Sequence, residues 1–293
     1  MRTNEEILTS MKGDLALSGL APITQHQYFL KAQRFLNHCD RKCEEMNEQD
    51  IRDYITHLLN EQNLASSTVI GYRTAICFLF EVTLDRKLNQ RKIPRVKKVR
   101  SFPEILTRDE ISLIFEHEPN FRNRAIFITA YSAGLRLSEV CKLRVKDIDS
   151  ENMRIFVNHG KRDKDRYTVL AQKNLVVLRE YWKQYQTSLK KSSGGYLFLS
   201  GFSNRDCLCT SSVWKLFKAA VKRAGIKKDV SIHVLRTCFA THLLESGMDI
   251  YRIKQLLGHS SIQSTTYYIR LSKFDNTIKS PFDLMDITEV DDG

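Results

Sequence analysis

The chain predicts a mainly α-helical protein of two domains, with one small antiparallel β-sheet in the second. Three observations predict it. Almost every apolar cluster recurs at helical spacing behind a capping residue. Paired β-rich runs around a glycine bend occur over residues 153–170. A basic run over residues 91–100 separates an all-helical first third from a longer remainder. A length of 293 residues suits two domains of ordinary size, and an apolar fraction of 42% supplies a core for each. The expected division is a helical domain over residues 1–88, a basic linker over 89–103, a second domain over 104–280 and an acidic tail over 281–293.

In the first domain, Asn4 to Leu17 reads as a helix. Thr24 and Gln27 spell a Thr-x-x-Gln capping box for a second helix through Tyr28, Phe29, Ala32, Phe35 and Leu36. Asn47 caps a third, with Ile51, Ile55, Leu58 and Leu59 inward. Ser66 or Ser67 caps a fourth, with Val69, Ile70, Ala75, Ile76, Leu79 and Phe80 inward. Lys31, Arg34, Tyr72 and Arg73 are among the polar residues these helices leave over. Such a bundle has no single function by itself. In the linker RKIPRVKKVR, six of ten residues are basic and none is acidic. That composition suits an exposed connection. It also suits a strand laid along phosphates, where each neutralised phosphate releases counterions. Arg95, Lys97, Lys98 and Arg100 are the candidate contacts.

In the second domain, Thr107 caps a helix with Glu110 as its capping-box partner. A more apolar helix over residues 124–132 stops at Gly134. Arg136 then opens a helix with Leu135, Val140 and Leu143 inward, and Glu139 forms an i, i+3 pair with it. Residues 153–157 and 166–170 flank the turn NHGKRDKD, a hairpin with Gly160 in the bend and Lys161, Arg162 and Lys164 projecting. On residue type alone that turn is a solvated basic surface. Residues 172–189 form a helix, residues 196–200 a short strand, and Ser211 or Ser212 begins a helix reaching Ala224.

Residues 231–270 hold the densest set of polar residues. Ser231 caps a helix with Leu235, Phe239 and Leu243 on its apolar stripe and Gly247 as its stop. Asp249 caps the next, with Ile250, Ile253, Leu256 and Leu257 inward and Gly258 as its stop. Ser260 or Ser261 caps a third, which carries Tyr267 and Tyr268. His233 and Arg236 share a face of a first turn, where free N–H groups and the positive dipole end suit a phosphate. A cation, two imidazoles (His233 and His259) and a phenol near one helix start suffice for phosphoryl transfer. Each residue alone reads as an ordinary part of a helical hairpin; their order singles them out.

Composition sets the outer bounds. A net charge of +12 points to a polyanionic partner, most simply nucleic acid. Seven scattered cysteines, an odd number without paired Cys-x-x-Cys knuckles, argue against a disulfide frame or a zinc site and read as buried thiols in a reducing cytoplasm. The first residues are no signal peptide, and no apolar run approaches the roughly 18 residues of a membrane span. Asp147-Ile-Asp149 and Asp163-Lys-Asp165 have metal-ligand spacing but lie in expected turns, so no metal is expected.

The order His-x-x-Arg, Leu-Gly-His and a tyrosine nine residues on resembles the tyrosine recombinase (phage integrase) family. The stretches HVLRTCFATHLL and LLGHSS and the spacing to Tyr268 carry the likeness. Ala-Gly-Leu-Arg-x-Ser-Glu, ending at Glu139, looks like that family's first arginine motif. The chain is similar to compact Xer-like and transposon-encoded members. The resemblance implies a core-binding (SAM-like) bundle followed by a tyrosine-recombinase catalytic domain. It implies cutting and rejoining of DNA through a 3′-phosphotyrosine at Tyr268, with Arg136 and Arg236 on the nonbridging oxygens, Glu139 in support, and His233 and His259 assisting. It places the catalytic lysine directly after the hairpin glycine, at Lys161. The usual Gly-x-Lys continuation is here Arg162-Asp163-Lys164, which leaves Lys164 as a rival. The DNA-gripping residues would include Lys31, Arg34, Tyr72, Arg73, Arg95, Lys97, Lys98 and Arg100. No cofactor, metal or ATP is implied. The implied assembly is a homotetramer on two double-stranded DNA duplexes, formed from monomers and passing through a Holliday junction, in the cytoplasm of a bacterium or encoded by a mobile element. Residues 273–280 match the segment that docks on a neighbouring protomer. Thr237 and Arg270 stand where histidine is common in the family. The alternatives are relaxation in the manner of a type IB topoisomerase and a non-cleaving DNA-binding regulator.

Overall fold

The computed structural model describes residues 2–97, 104–158, 165–190, 195–200, 207–259, 261 and 265. The chain divides into two compact units, Met1–Ser101 and Phe102–Gly293.

The first unit is built from α1 (Asn4–Leu17), α2 (Pro22–Cys39), α3 (Glu48–Asn60) and α4 (Ser66–Phe78). Reciprocal capping boxes, Thr3 with Glu6 and Asn47 with Asp50, start α1 and α3. The expected Thr24 cap is corrected. Pro22 starts α2 two residues earlier, behind Ala21, because its fixed φ already suits a first turn. Nor do Ser66 or Ser67 cap α4, since Ala65 is its N-cap and Ser66 its first residue. Ile7, Met11, Phe35, Ile51, Ile55, Val69, Ile76 and Phe80 fill the core.

The basic segment after this bundle is anchored to it for part of its length. Leu88 and Ile93 are buried in the same core, and Val96 packs against it. Arg73 donates to Gln90 Oε1, and Gln90 Nε2 donates to Glu81 at 2.6 Å. Burying one isoleucine contributes about 1.5–3 kcal/mol, enough to hold a short charged segment down. The expected linker therefore begins inside the first unit.

The second unit contains α5 (Arg108–Glu116), α6 (Phe121–Ser132), α7 (Leu137–Lys142), α8 (Gln172–Lys190), α9 (Thr210–Arg223), α10 (His233–Glu245) and α11 (Ile250–Leu257). A sheet of order β1-β2-β3 joins them: β1 (Ile148–Asp149), β2 (Arg154–Val157) and β3 (Arg166–Val169), antiparallel throughout. The two-residue β1 went unforeseen, being too short for a period-two pattern. Along β2 and β3, Ile155, Val157 and Thr168 are buried. The strand expected over residues 196–200 is corrected to an isolated bridge between Tyr196 and Arg144.

Helix α6 begins at Phe121, earlier than residue 124, because Asn120 caps it. With Ala125, Ile126, Phe127, Thr129 and Ala130 buried, it runs through the middle of this unit. Ser231 does not cap α10. Ile232 holds the N-cap position in a helical conformation, and the Ser231 carbonyl takes the Val234 N–H instead. Asp249 does cap α11, accepting from the Tyr251 and Arg252 N–H groups, and Gly258 ends it at φ +63°. The main core centres on Phe127, Tyr181, Phe198, Phe217 and Leu235, with Phe239, Ala240, Ile253 and Leu257 forming a satellite core between α10 and α11.

Of the cysteines read as buried, Cys209 is exposed, and Cys39 and Cys207 are half-buried. Asp147 accepts the Arg144 backbone N–H, and Asp149 is engaged by Asn152 and Arg154. Among the described residues no helix is long and apolar enough to cross a membrane. The expected third helix with Tyr267 and Tyr268, the hairpin turn with Lys161 and Lys164, and the acidic tail lie outside the described residues.

Candidate active site

The site starts where α6 ends. Gly134 turns the chain at φ +60°, and a Cβ there would stand 2.3 Å from the Phe239 ring, so the turn needs glycine on both counts. Arg136 follows as the N-cap of α7. Its backbone N–H donates to Glu139 Oε2 at 2.8 Å, and its Nη1 donates to Glu139 Oε1 at 2.6 Å. Among the described residues, no further hydrogen-bond partner of the Arg136 guanidinium is seen.

Arg236, one turn into α10, is only 1% exposed. A guanidinium so deep must be paired, because stripping its water is otherwise prohibitive. It donates through Nη1 to the Gly134 carbonyl at 2.7 Å and through Nη2 to the Leu257 carbonyl at 2.5 Å, and it lies 3.7 Å from Glu139 Oε2. The second carbonyl belongs to the last turn of α11, the negative end of that helix dipole.

A third guanidinium completes the cluster, and the sequence reading missed it. Arg166, the first residue of β3, donates Nη1 and Nη2 to the two Glu139 oxygens at 2.9 and 2.7 Å and Nε to the Leu256 carbonyl at 2.9 Å. A signal was present. Strand periodicity puts residue 166 on the face of Thr168, which is buried, while Tyr167 and Val169 are exposed. A charged residue on an inward strand face needs a buried partner.

Glu139 is buried by the same contacts. Burial alone would raise its pKa, but the hydrogen bonds and charge of Arg166 and the hydrogen bonds from Arg136 hold it down at about 2. Three guanidiniums thus meet one carboxylate, an excess of two positive charges where a phosphodiester anion would fit.

The histidines flank this cluster. His233 is the first residue of α10, and desolvation followed by the charges of Arg236 and Arg136 lowers its pKa. His259 follows Gly258, with Nδ1 2.9 Å from the hydroxyl of buried Thr265. Burial, then Arg236, Arg136 and Arg166, push its pKa down to about 4. It is therefore neutral at neutral pH and available as a hydrogen-bonding group. The structure so brings Arg136, Glu139, His233, Arg236 and His259 into one electrostatic neighbourhood. Lys161 and Tyr268 lie outside the described residues.

In the first unit, the Arg34 guanidinium donates to the Tyr72 hydroxyl at 2.9 Å, and Lys31 Nζ stands 5.7 Å from the Tyr72 ring centre. Tyr72, expected to be a contact itself, is 5% exposed and lies beneath Lys31 and Arg34 as their support. Arg73 is tied to Gln90, while Arg95 and Lys97 are exposed. Arg95 also joins Arg52, Arg91 and Lys92 in lining an open cleft of about 460 Å³. Arg52 was not anticipated, since nothing in sequence brings α3 to the basic segment. Lys98 and Arg100 lie outside the described residues.

A helical first unit ahead of a catalytic unit built on such an arginine cluster defines an integrase-type protein. Residues 104–274 match the phage integrase family and residues 7–90 its N-terminal SAM-like domain, and the chain belongs to that family. Tyrosine recombinase XerA of Pyrococcus horikoshii is 32% identical over 274 residues, covering 92% of this chain and 90% of that protein. The crystal structure of XerA recombinase matches at 29% identity and a TM-score of 0.53, over 93% of this chain and 94% of that one. A lambda integrase tetramer bound to a Holliday junction shares the fold, with a TM-score of 0.72 at 20% identity over 91% and 77% of the two chains. The chain is a tyrosine-type site-specific recombinase.

Proposed function

We propose that this recombinase cuts and rejoins double-stranded DNA at a specific site, with Tyr268 as nucleophile and Arg136, Arg236, His233, His259 and Lys161 as the groups that make its attack possible. The observation that carries the reading is the excess positive charge that Arg136, Arg166 and Arg236 place around Glu139. The phenolic oxygen of Tyr268 attacks phosphorus, the bond to the 5′-oxygen breaks, and a 3′-phosphotyrosine remains. Negative charge building on the nonbridging oxygens meets the Arg136 and Arg236 forks. Neutral imidazoles at His233 and His259 accept the phenolic proton or donate hydrogen bonds, and Lys161 gives the leaving oxygen its proton. The phosphotyrosine conserves the energy of the broken phosphodiester, so rejoining needs neither ATP nor metal.

The first unit serves as the core-binding domain over residues 1–88, with Lys31, Arg34, Arg73 and the basic segment on phosphates. Tyr72 acts as their support. As in the lambda integrase assembly, four protomers on two duplexes would exchange strands through a Holliday junction. Bacterial cytoplasm, as host or mobile-element product, is the setting this chemistry suits.

The test is a nicked duplex that loses a short fragment on cleavage and so traps the adduct. Wild-type protein forms a covalent complex that survives denaturation and EDTA, and Tyr268→Phe binds DNA without forming it. An adduct mapped to Tyr267 would overturn the choice of nucleophile. Binding without any adduct would favour the regulator, and relaxation without recombinant joints a topoisomerase.

A further inference from the structure

Arg166 has no step of its own in the proposed reaction, yet all three of its donor nitrogens are used inside the site. Its guanidinium spends Nη1 and Nη2 on Glu139 in α7 and Nε on the Leu256 carbonyl in α11. Its backbone belongs to β3, which follows Lys161 in the chain. One planar group therefore ties three elements together.

The geometry on Glu139 explains why this matters. An unopposed carboxylate beside Arg136 would draw that guanidinium into a two-pronged pair and hold it there. Here both carboxylate oxygens are already taken end-on by the two Nη groups of Arg166. Arg136 reaches Glu139 through Nη1 alone, besides its backbone N–H. On α11, consecutive carbonyls are capped by two guanidiniums, Leu256 by Arg166 and Leu257 by Arg236. The helix end that precedes His259 is thereby fixed to the strand and to α10 together. Gly258 fits the same arrangement: a Cβ there would stand 2.7 Å from Arg166 Cδ.

We infer that Arg166 is a positioning residue that occupies Glu139 so that the remaining donors of Arg136 stay turned to the phosphate, while locking the end of α11 that carries His259. This rests on Arg136 and Arg236 being the phosphate-holding groups. Lysine cannot replace it, because an ammonium offers a point charge where three donors in a fixed plane are used. Arg166 and Glu139 act as a unit.

The experiment uses the full-length chain and a pool of nicked duplexes with a randomised core, from which wild-type covalent adducts define the substrate. Single-turnover cleavage at saturating DNA and DNA affinity are then measured for Arg166→Gln, Arg166→Lys, Glu139→Gln and the double glutamine variant, below each variant's melting temperature. Arg166→Gln and Arg166→Lys should slow cleavage about 10²-fold, the cost of misplacing a catalytic group by about 1 Å, with affinity within about twofold. The double variant removes one charge of each sign and so leaves the net charge of the cluster unchanged. It should cleave no more slowly than the worse single variant, because the pair acts together. A purely structural role predicts lowered melting with normal cleavage by the folded fraction, and that result overturns the inference. So does full rescue by lysine, or losses that multiply in the double variant. Absence of any adduct from wild type would bring down the reading of the site and this inference with it. Unslowed Arg166 variants beside an active wild type would bring down the inference alone.

Discussion

The cations of the second unit and those of the first are handled in opposite ways. Arg236 is 1% exposed and bonded to two backbone carbonyls, and Arg166 is bonded to a carboxylate and a third carbonyl. Arg34, Arg95 and Lys97 are exposed, and the Arg34 side chain donates to a tyrosine hydroxyl. The difference tracks what each charge must do under the function proposed above. Stabilising a transition state requires a donor already aimed, so its side-chain entropy and its water are given up during folding. Releasing counterions from a duplex requires only proximity, and a mobile surface cation supplies that.

The largest expected effect tests the buried side. Arg236→Ala should lower single-turnover cleavage by about 10²–10³-fold or more, as removal of one aimed donor does. It should also lower the melting temperature, because the Gly134 and Leu257 carbonyls lose their partner at about 1–3 kcal/mol each. Arg34→Ala should leave stability within about 0.5 kcal/mol. Equal effects of the two substitutions on melting would erase the contrast.

Next is Lys161, the proposed general acid. Lys161→Ala should slow cleavage of ordinary DNA by about 10²–10⁴-fold, the usual worth of a general acid. A substrate with sulfur at the bridging 5′ position should restore the rate, since a thiolate leaves without a proton. Arg236→Ala should not be restored. Rescue of Lys164→Ala instead would move the acid three residues along the turn.

A smaller effect concerns pH. The His259 pKa falls to about 4 in the fold, below its ordinary value of 6.5, through burial and then the neighbouring arginines. The unfolded chain therefore takes up this proton first, and the stability contribution present above 6.5 is lost as pH falls toward 4. Denaturation midpoints at pH 7 and pH 5 should differ more for wild type than for His259→Asn. An identical acid loss would place the sensitivity elsewhere.

The smallest effect belongs to the exposed side. Neutralising Arg95, Lys97, Lys98 and Arg100 together should weaken binding to all sequences alike and lower the salt slope by about 1 per lost phosphate contact. An unchanged slope would make the segment a connection only.

Legibility in the sequence followed the same division. The helices with side-chain caps at Asn47, Thr107 and Asp249 could be read locally, whereas the candidate site residues Arg136, Glu139, His233, Arg236 and His259 were singled out only by the order of their motifs. The starts behind Ala21, Ala65 and Ile232 were missed because none of these residues caps with its side chain, although Pro22 at the first position of α2 was a signal. Arg166 was missed because its two partner residues, Glu139 and Leu256, lie 27 and 90 positions away, and a basic sequence beside it suggested solvent. The burial of Ile93 was hidden by the charges around it.

The carbonyls that hold Arg236 have a further consequence, in how the chain tolerates drift. A side-chain partner can be lost by one nucleotide change, but a backbone oxygen survives every substitution at its own position. Leu257 could become another apolar residue of similar bulk and still present the same acceptor. Gly134 is the exception, because its carbonyl depends on a left-handed turn and on room beside Phe239. Mutational sensitivity around this cation should therefore fall on backbone shape, with positions 134 and 258 intolerant and position 257 permissive.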